Sequence, residues 1–150
     1  MRGTLVACVA MLVTVACSEE NAAFPSAAKL LEIPVRATQE MRVEEFQVGV
    51  AQAAAAGESW VRNPGQVALR FAQPGSRQIV TSLRGSGEVS TSYAATIITD
   101  GHTDDSVRGD RIEASLTVDP DGVWSVIEAR RAWRCWENRG HTDFGTEPCT

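Results

Sequence analysis

Arg111-Ile112-Glu113-Ala114-Ser115-Leu116-Thr117-Val118-Asp119-Pro120-Asp121-Gly122 decides the fold of this chain. Ile112, Ala114, Leu116 and Val118 share one side of a two-residue period, and Arg111, Glu113, Ser115 and Thr117 share the other. That is the pattern of an antiparallel strand with one dry face and one wet face. Asp119-Pro120-Asp121-Gly122 is a tight-turn sequence, so the strand continues as a hairpin into a second one over 123–135. The second strand alternates poorly. Ile127, Ala129, Arg131 and Trp133 fall in one phase, while Trp124, Val126 and Ala132 share the other with Glu128, Arg130 and Arg134. Apolar and charged residues in both phases call for a bulge, or for a curved sheet whose concave side holds polar groups.

Upstream of the hairpin, period-two segments over 78–83 and 93–99 follow Pro74-Gly75 and supply two more strands. Before them the period is helical. Val43, Phe46, Val50, Ala53 and Ala54 predict a helix over 39–56 closed by Gly57. Asn63-Pro64-Gly65-Gln66 reads as a helix start, with a capping side chain followed by proline in the first turn. A short helix through Val67, Leu69 and Phe71 follows, with a strand as the competing reading because these residues also alternate. Pro34 keeps Leu30–Ile33 from joining the first helix, which leaves that stretch as a turn or part of a tether. The expected fold is therefore α+β, with N-terminal helices packed on a curved antiparallel sheet of about four strands. In element order this resembles the NTF2-like and cystatin-like cone, which implies a pocket at the cone's mouth and no particular chemistry.

The chain has 150 residues, 43% of them apolar, enough for one domain, placed at 39–150. The net charge is −5, or −6 once Arg2 leaves with a leader, and this excludes nucleic acid as the expected partner. Met1-Arg2 and the apolar run from Thr4 to Ala16, too short to span a bilayer, read as a signal peptide over 1–16. Thr14-Val15-Ala16-Cys17 resembles the lipobox of bacterial lipoproteins, with Thr14 where that pattern prefers leucine. The resemblance implies lipid on Cys17, anchorage to the outer face of the cell membrane, and a tether over 17–38. The alternative is a cleaved, fully secreted protein. Cys8 leaves with the leader and Cys17 takes lipid, so Cys135 and Cys149 remain to pair in an oxidising compartment.

The segment enclosed by those two cysteines has neither helical nor alternating pattern. It holds Trp136, Arg139, His141, Asp143 and Phe144. Asn138-Arg139-Gly140-His141-Thr142-Asp143-Phe144 with Cys149 resembles the Gly-Arg-Gly-His-x-Asp-Phe…Cys tail of uncharacterised secreted or lipid-anchored proteins of high-GC Gram-positive bacteria. Asp104-Asp105-Ser106-Val107-Arg108-Gly109 and Trp124 fit the same group, and Asn138 replaces its first glycine. The likeness implies location and tail architecture only.

Chemically, His141 beside Asp143 is a candidate carboxylate-oriented imidazole, and Arg139 a candidate anion contact. The competing reading has His141 and Asp143 bonding main-chain groups of a disulfide-closed loop. Asp100, His102, Asp104, Asp105 and Asp110 crowd a second region. They lack the glycine-turned spacing of a calcium loop, so turn formation and capping are the expected roles and neither a metal nor another cofactor is expected. No nucleophile elbow occurs. The functional expectation is a lipid-anchored, extracytoplasmic binding or assembly module that engages an envelope protein or cell-wall fragment. A small secreted enzyme using His141 and Asp143, and a ligand-free spacer, are the alternatives.

Overall fold

The computed structural model describes residues 24–85 and 90–150, so the segment expected to be a signal peptide and the expected lipid site Cys17 lie outside the described residues. Helices α1 (Ala27–Glu32), α2 (Glu44–Ala55) and α3 (Pro64–Ala72) pack with strands β1 (Gln39–Glu40), β2 (Gln78–Gly85), β3 (Ser92–Asp100), β4 (Val107–Val118) and β5 (Trp124–Cys135). The strands form one open antiparallel sheet in the order β1-β5-β4-β3-β2. The α+β class is as expected from sequence, with β1 as a small fifth strand. Among the described residues no helix is long and apolar enough to cross a membrane.

Local chemistry accounts for the element ends. Asn63 Oδ1 accepts the Gln66 N–H at 3.0 Å, and Pro64 opens α3, which decides for the helix over the strand. Glu44 and Glu45 sit in the first turn of α2, where the positive end of the helix dipole favours them. At the other end Gly57 takes φ +74°, the left-handed conformation that stops the helix. In the β4–β5 turn the Asp119 carboxylate accepts the N–H groups of Asp121 and Val123, each at 2.9 Å.

Two expectations are corrected. Helix α2 starts at Glu44 and not at 39, because Gln39 and Glu40 pair instead with Arg131 and Arg130 and the Met41 N–H bonds Ala129 O. Further along that edge, Gly145 exchanges main-chain bonds with Trp133. The outer side of β5 is thus covered by short segments, which removes it as a pairing template. The stretch Leu30–Ile33, expected as a turn or part of a tether, instead runs through the end of helix α1. Leu30 is completely buried there, and Arg36 N donates to Phe144 O at 2.8 Å, so this segment packs on the sheet.

The irregular pattern of the last strand has one cause. Leu116 pairs with Val126 but Ser115 pairs with Glu128, so Ile127 is an extra residue, and it is 54% exposed. This bulge flips the phase of β5. Trp124 and Val126 before it, and Ala129 after it, all face α2 and α3 with Ala95, Ile97, Ile112, Ala114 and Leu116 in the main core. The opposite face carries a smaller core of Val80, Ile98 and Ala132, covered by Leu30 from α1 and Phe144 from the C-terminal loop. A second irregularity in β4 makes Arg108 the extra residue between Val107 and Gly109.

Candidate functional site

The C-terminal loop is closed by a disulfide between Cys135 and Cys149, with Cα atoms 5.6 Å apart. Cys135 N donates to His141 O at 2.8 Å, and Thr150 N donates to Arg139 O at 2.8 Å, so the loop folds back on the end of β5. Gly140 takes φ +141°, and a Cβ there would lie 2.7 Å from Cys135 Sγ, so the disulfide packs where a side chain would stand. Asn138 takes φ +64°, a region asparagine tolerates better than most residues.

His141 Nδ1 is 2.8 Å from Asp143 O, and Nε2 is 3.0 Å from Glu147 O. Both ring nitrogens are therefore engaged by main-chain carbonyls, and the side chain is only 8% exposed. The Asp143 carboxylate does not touch the imidazole. It pairs with Arg36 at 3.6 Å, while Arg139 Nη1 reaches Thr150 O at 3.4 Å. The three residues thus share one loop without converging on one point. Glu147 approaches His141 Nε2 at 3.6 Å. Its carboxyl is held below the usual carboxylate range, first by its own main-chain N–H and then by that of Thr146, with His141 and Arg36 adding to the effect.

The acidic region disperses in the same way. Asp100 is fully buried against Arg134 and Arg108. Asp104 Oδ1 accepts the N–H groups of Ser106 at 2.8 Å and Val107 at 2.6 Å and so closes a turn. Asp110 Oδ1 binds Arg131 Nη2 at 2.7 Å. The basic residues of β5 are mostly occupied by this pairing, and Arg130 binds Glu128 at 2.8 Å.

Asp110 nevertheless stays with His102, as their grouping in the sequence suggests, and the two share a cavity whose other members the linear sequence did not reveal. A cavity of about 230 Å³ opens where the end of α3 leaves the sheet. Met41, Ile97 and Ile112 give it an apolar lining, Ala72, Gln73, Pro74 and Gly75 form the helix side, and Thr99, His102, Asp110 and Arg131 supply polar groups. His102 Nε2 is 2.8 Å from Thr99 Oγ1 and 3.6 Å from Asp110 Oδ2, and Thr99 Oγ1 accepts the Asp110 N–H at 3.2 Å. Thr99 and Asp110 are cross-strand partners that continue the core phase of Ile97 and Ile112. A polar pair in core phase is the signal that could have located the site. Its volume lies just under the range of about 300–1,000 Å³ usual for small-molecule sites, so it suits a fragment-sized ligand.

On the other sheet face, a larger trough of about 440 Å³ runs over Ala94, Thr96 and Ser115. Arg111 and Glu113 pair on one side of it, and Arg130 and Glu128 on another. The trough is lined mainly by polar and charged groups, with Leu31 and three alanines among them; the α3 cavity combines an apolar body with a few convergent polar groups, as small-molecule sites do. No known protein family, curated protein or solved structure matches this chain.

Proposed function

We propose that the protein is an extracytoplasmic binding module, anchored through lipid on Cys17, that takes a small ligand into the cavity between α3 and the sheet. The observation that carries this reading is the polar cluster of Thr99, His102, Asp110 and Arg131 set against an apolar floor. Asp110 and Arg131 present an acceptor and a donor side by side, which favours a ligand with an apolar body and an amide-like or zwitterionic end. The disulfide supports an oxidising compartment. A hydrolase built on His141 gains no support, because both of its nitrogens are engaged by carbonyls.

The test is a ligand-observed NMR screen of the purified chain with small amphiphilic fragments. Fragments that bind are expected to lose contact when Ala72→Phe fills the cavity, and to bind at least tenfold more weakly to His102→Ala. Binding that survives the filled cavity sinks the proposal. The anchor is tested separately by Cys17→Ser, which should abolish detergent-phase partitioning; unchanged partitioning removes the lipid.

A further inference from the structure

The two sulfurs of Cys135 and Cys149 and a ring nitrogen of His141 all lie within 4.8 Å of one another. A Glu147 carboxylate oxygen stands 3.6 Å from His141 Nε2. With the sulfurs bonded to each other, no thiolate is available to a metal. Reduction of that one bond would expose two thiolates, an imidazole and a carboxylate at the same end of the same loop.

We infer that the C-terminal loop has a second closure, in which reduced Cys135 and Cys149 bind one zinc ion together with His141 and the Glu147 carboxylate. Four donors of the N, O and S types are what tetrahedral zinc takes, with Zn–S near ~2.3 Å and Zn–N near ~2.0 Å. Sulfurs on one tetrahedral ion stand roughly 3.7 Å apart by those bond lengths, so the two must move apart by less than the width of an atom. Cα atoms 5.6 Å apart leave that movement to side-chain rotation. The imidazole Nδ1 faces Asp143 O at 2.8 Å, the kind of carbonyl contact that holds a metal-bound histidine. Nε2 now stands 3.0 Å from Glu147 O and 3.6 Å from the Glu147 carboxylate, and binding would exchange that carbonyl contact for the ion. Burial of Cys135 and the near-burial of His141 would shield the bound ion from water.

A dithiol or phosphine reductant supplies two electrons to the S–S bond and is itself oxidised to a disulfide or, with oxygen from water, a phosphine oxide. The two sulfurs then carry protons, and zinc releases them on binding because only thiolates ligate. Zinc would keep the loop folded on β5 in the reduced chain, and a disulfide oxidant, taking the two electrons and leaving as two thiols, would re-form the Cys135–Cys149 bond and expel the ion.

The experiment uses the whole chain, reduced with a water-soluble phosphine and freed of reductant under anaerobic conditions. Cobalt(II) should then give the visible bands of a tetrahedral site with thiolate charge transfer, and one equivalent of zinc should bleach them. X-ray absorption of the zinc form should find two sulfur and two lighter ligands, a readout that needs no variant to fold. His141→Ala should weaken zinc at least tenfold, and the oxidised chain should bind none. A zinc shell of light atoms only, an octahedral cobalt spectrum, or unchanged affinity in His141→Ala overturns the inference.

Discussion

Arg134 donates from both Nε and Nη2 to the same carboxylate oxygen of Asp100, and that carboxylate has no exposed surface. Arg108, the extra residue in β4, brings its Nε to within 3.3 Å of the same oxygen. Gln78, Asp100, Gly109 and Arg134 form one row across the sheet, beside the small core under Leu30 and Phe144. A buried carboxylate between two guanidinium groups fixes the register of three strands, and losing it strands positive charge in the interior. We expect Asp100→Ala to cost about 3–5 kcal/mol in urea unfolding, whereas Asp105→Ala, on an exposed turn, should stay within about 0.5 kcal/mol. A loss below about 1 kcal/mol for Asp100→Ala would show that water reaches the pair.

Gly109 is the residue that makes room for this carboxylate. A Cβ placed on it would lie 2.2 Å from Thr99 O and 3.1 Å from Asp100 Oδ1. The first contact is with backbone, so β3 and β4 must part to accept it. Gly109→Ala should therefore destabilise by about 3 kcal/mol or prevent folding, at the upper end of what overpacking costs. Gly75→Ala, with open space around it, is the control and should leave the melting temperature nearly unchanged.

The hairpin from 111 to 135 could be read because burial on one face imposes a period of two, and the turn residues state where it breaks. The bulge at Ile127 was legible as an irregularity, but its position was not, since a one-residue phase flip looks the same whether it falls at 125 or 127. The partners of Asp100 were illegible for a different reason. Arg134 lies 34 positions away and Arg108 only 8, yet both reach it through strand pairing and a bulge, neither of which leaves a mark in composition. His141 and Asp143 showed the opposite failure. Their spacing suggested a side-chain pair, but the imidazole bonds Asp143 through its carbonyl, a group every residue carries. The β1 segment is indistinguishable from helix in the sequence, because Gln39 and Glu40 are polar and fit a helix's outer face as well as a strand's edge.

Acid titration offers a third test, at Asp104. The N–H groups of Val107 and Ser106, with the Ser106 hydroxyl, hold its carboxyl below the ordinary 3.8. A depressed folded-state value means that the ionised form is the one the fold prefers. Its contribution is complete above the unfolded-chain value and is lost as pH falls through the folded one. The stability difference between the protein and Asp104→Ala should be constant from neutral pH down to about 4 and shrink below it. A difference that stays flat through the acid limb would place the turn's stability elsewhere.

The two histidines separate architecture from binding, and the fourth prediction sets them against each other. Removing the disulfide with Cys135→Ala and Cys149→Ala should cost about 3 kcal/mol, the chain-entropy figure for a loop of this length. His141 bridges the carbonyls of Asp143 and Glu147 inside that loop. A neutral imidazole donates from one ring nitrogen, so His141→Ala leaves one of those carbonyls without its donor and removes the ring that packs the loop, and a loss of about 1–3 kcal/mol is expected. His102 sits at the α3 cavity, one-fifth exposed, and bonds a single threonine hydroxyl. His102→Ala should cost less than about 1 kcal/mol and weaken binding of cavity ligands at least tenfold. Denaturant unfolding and fragment binding measured on the same three variants distinguish the roles. If His141→Ala kept full stability and lost all binding while His102→Ala kept both, the ligand would sit on the disulfide loop and the α3 cavity would be packing space.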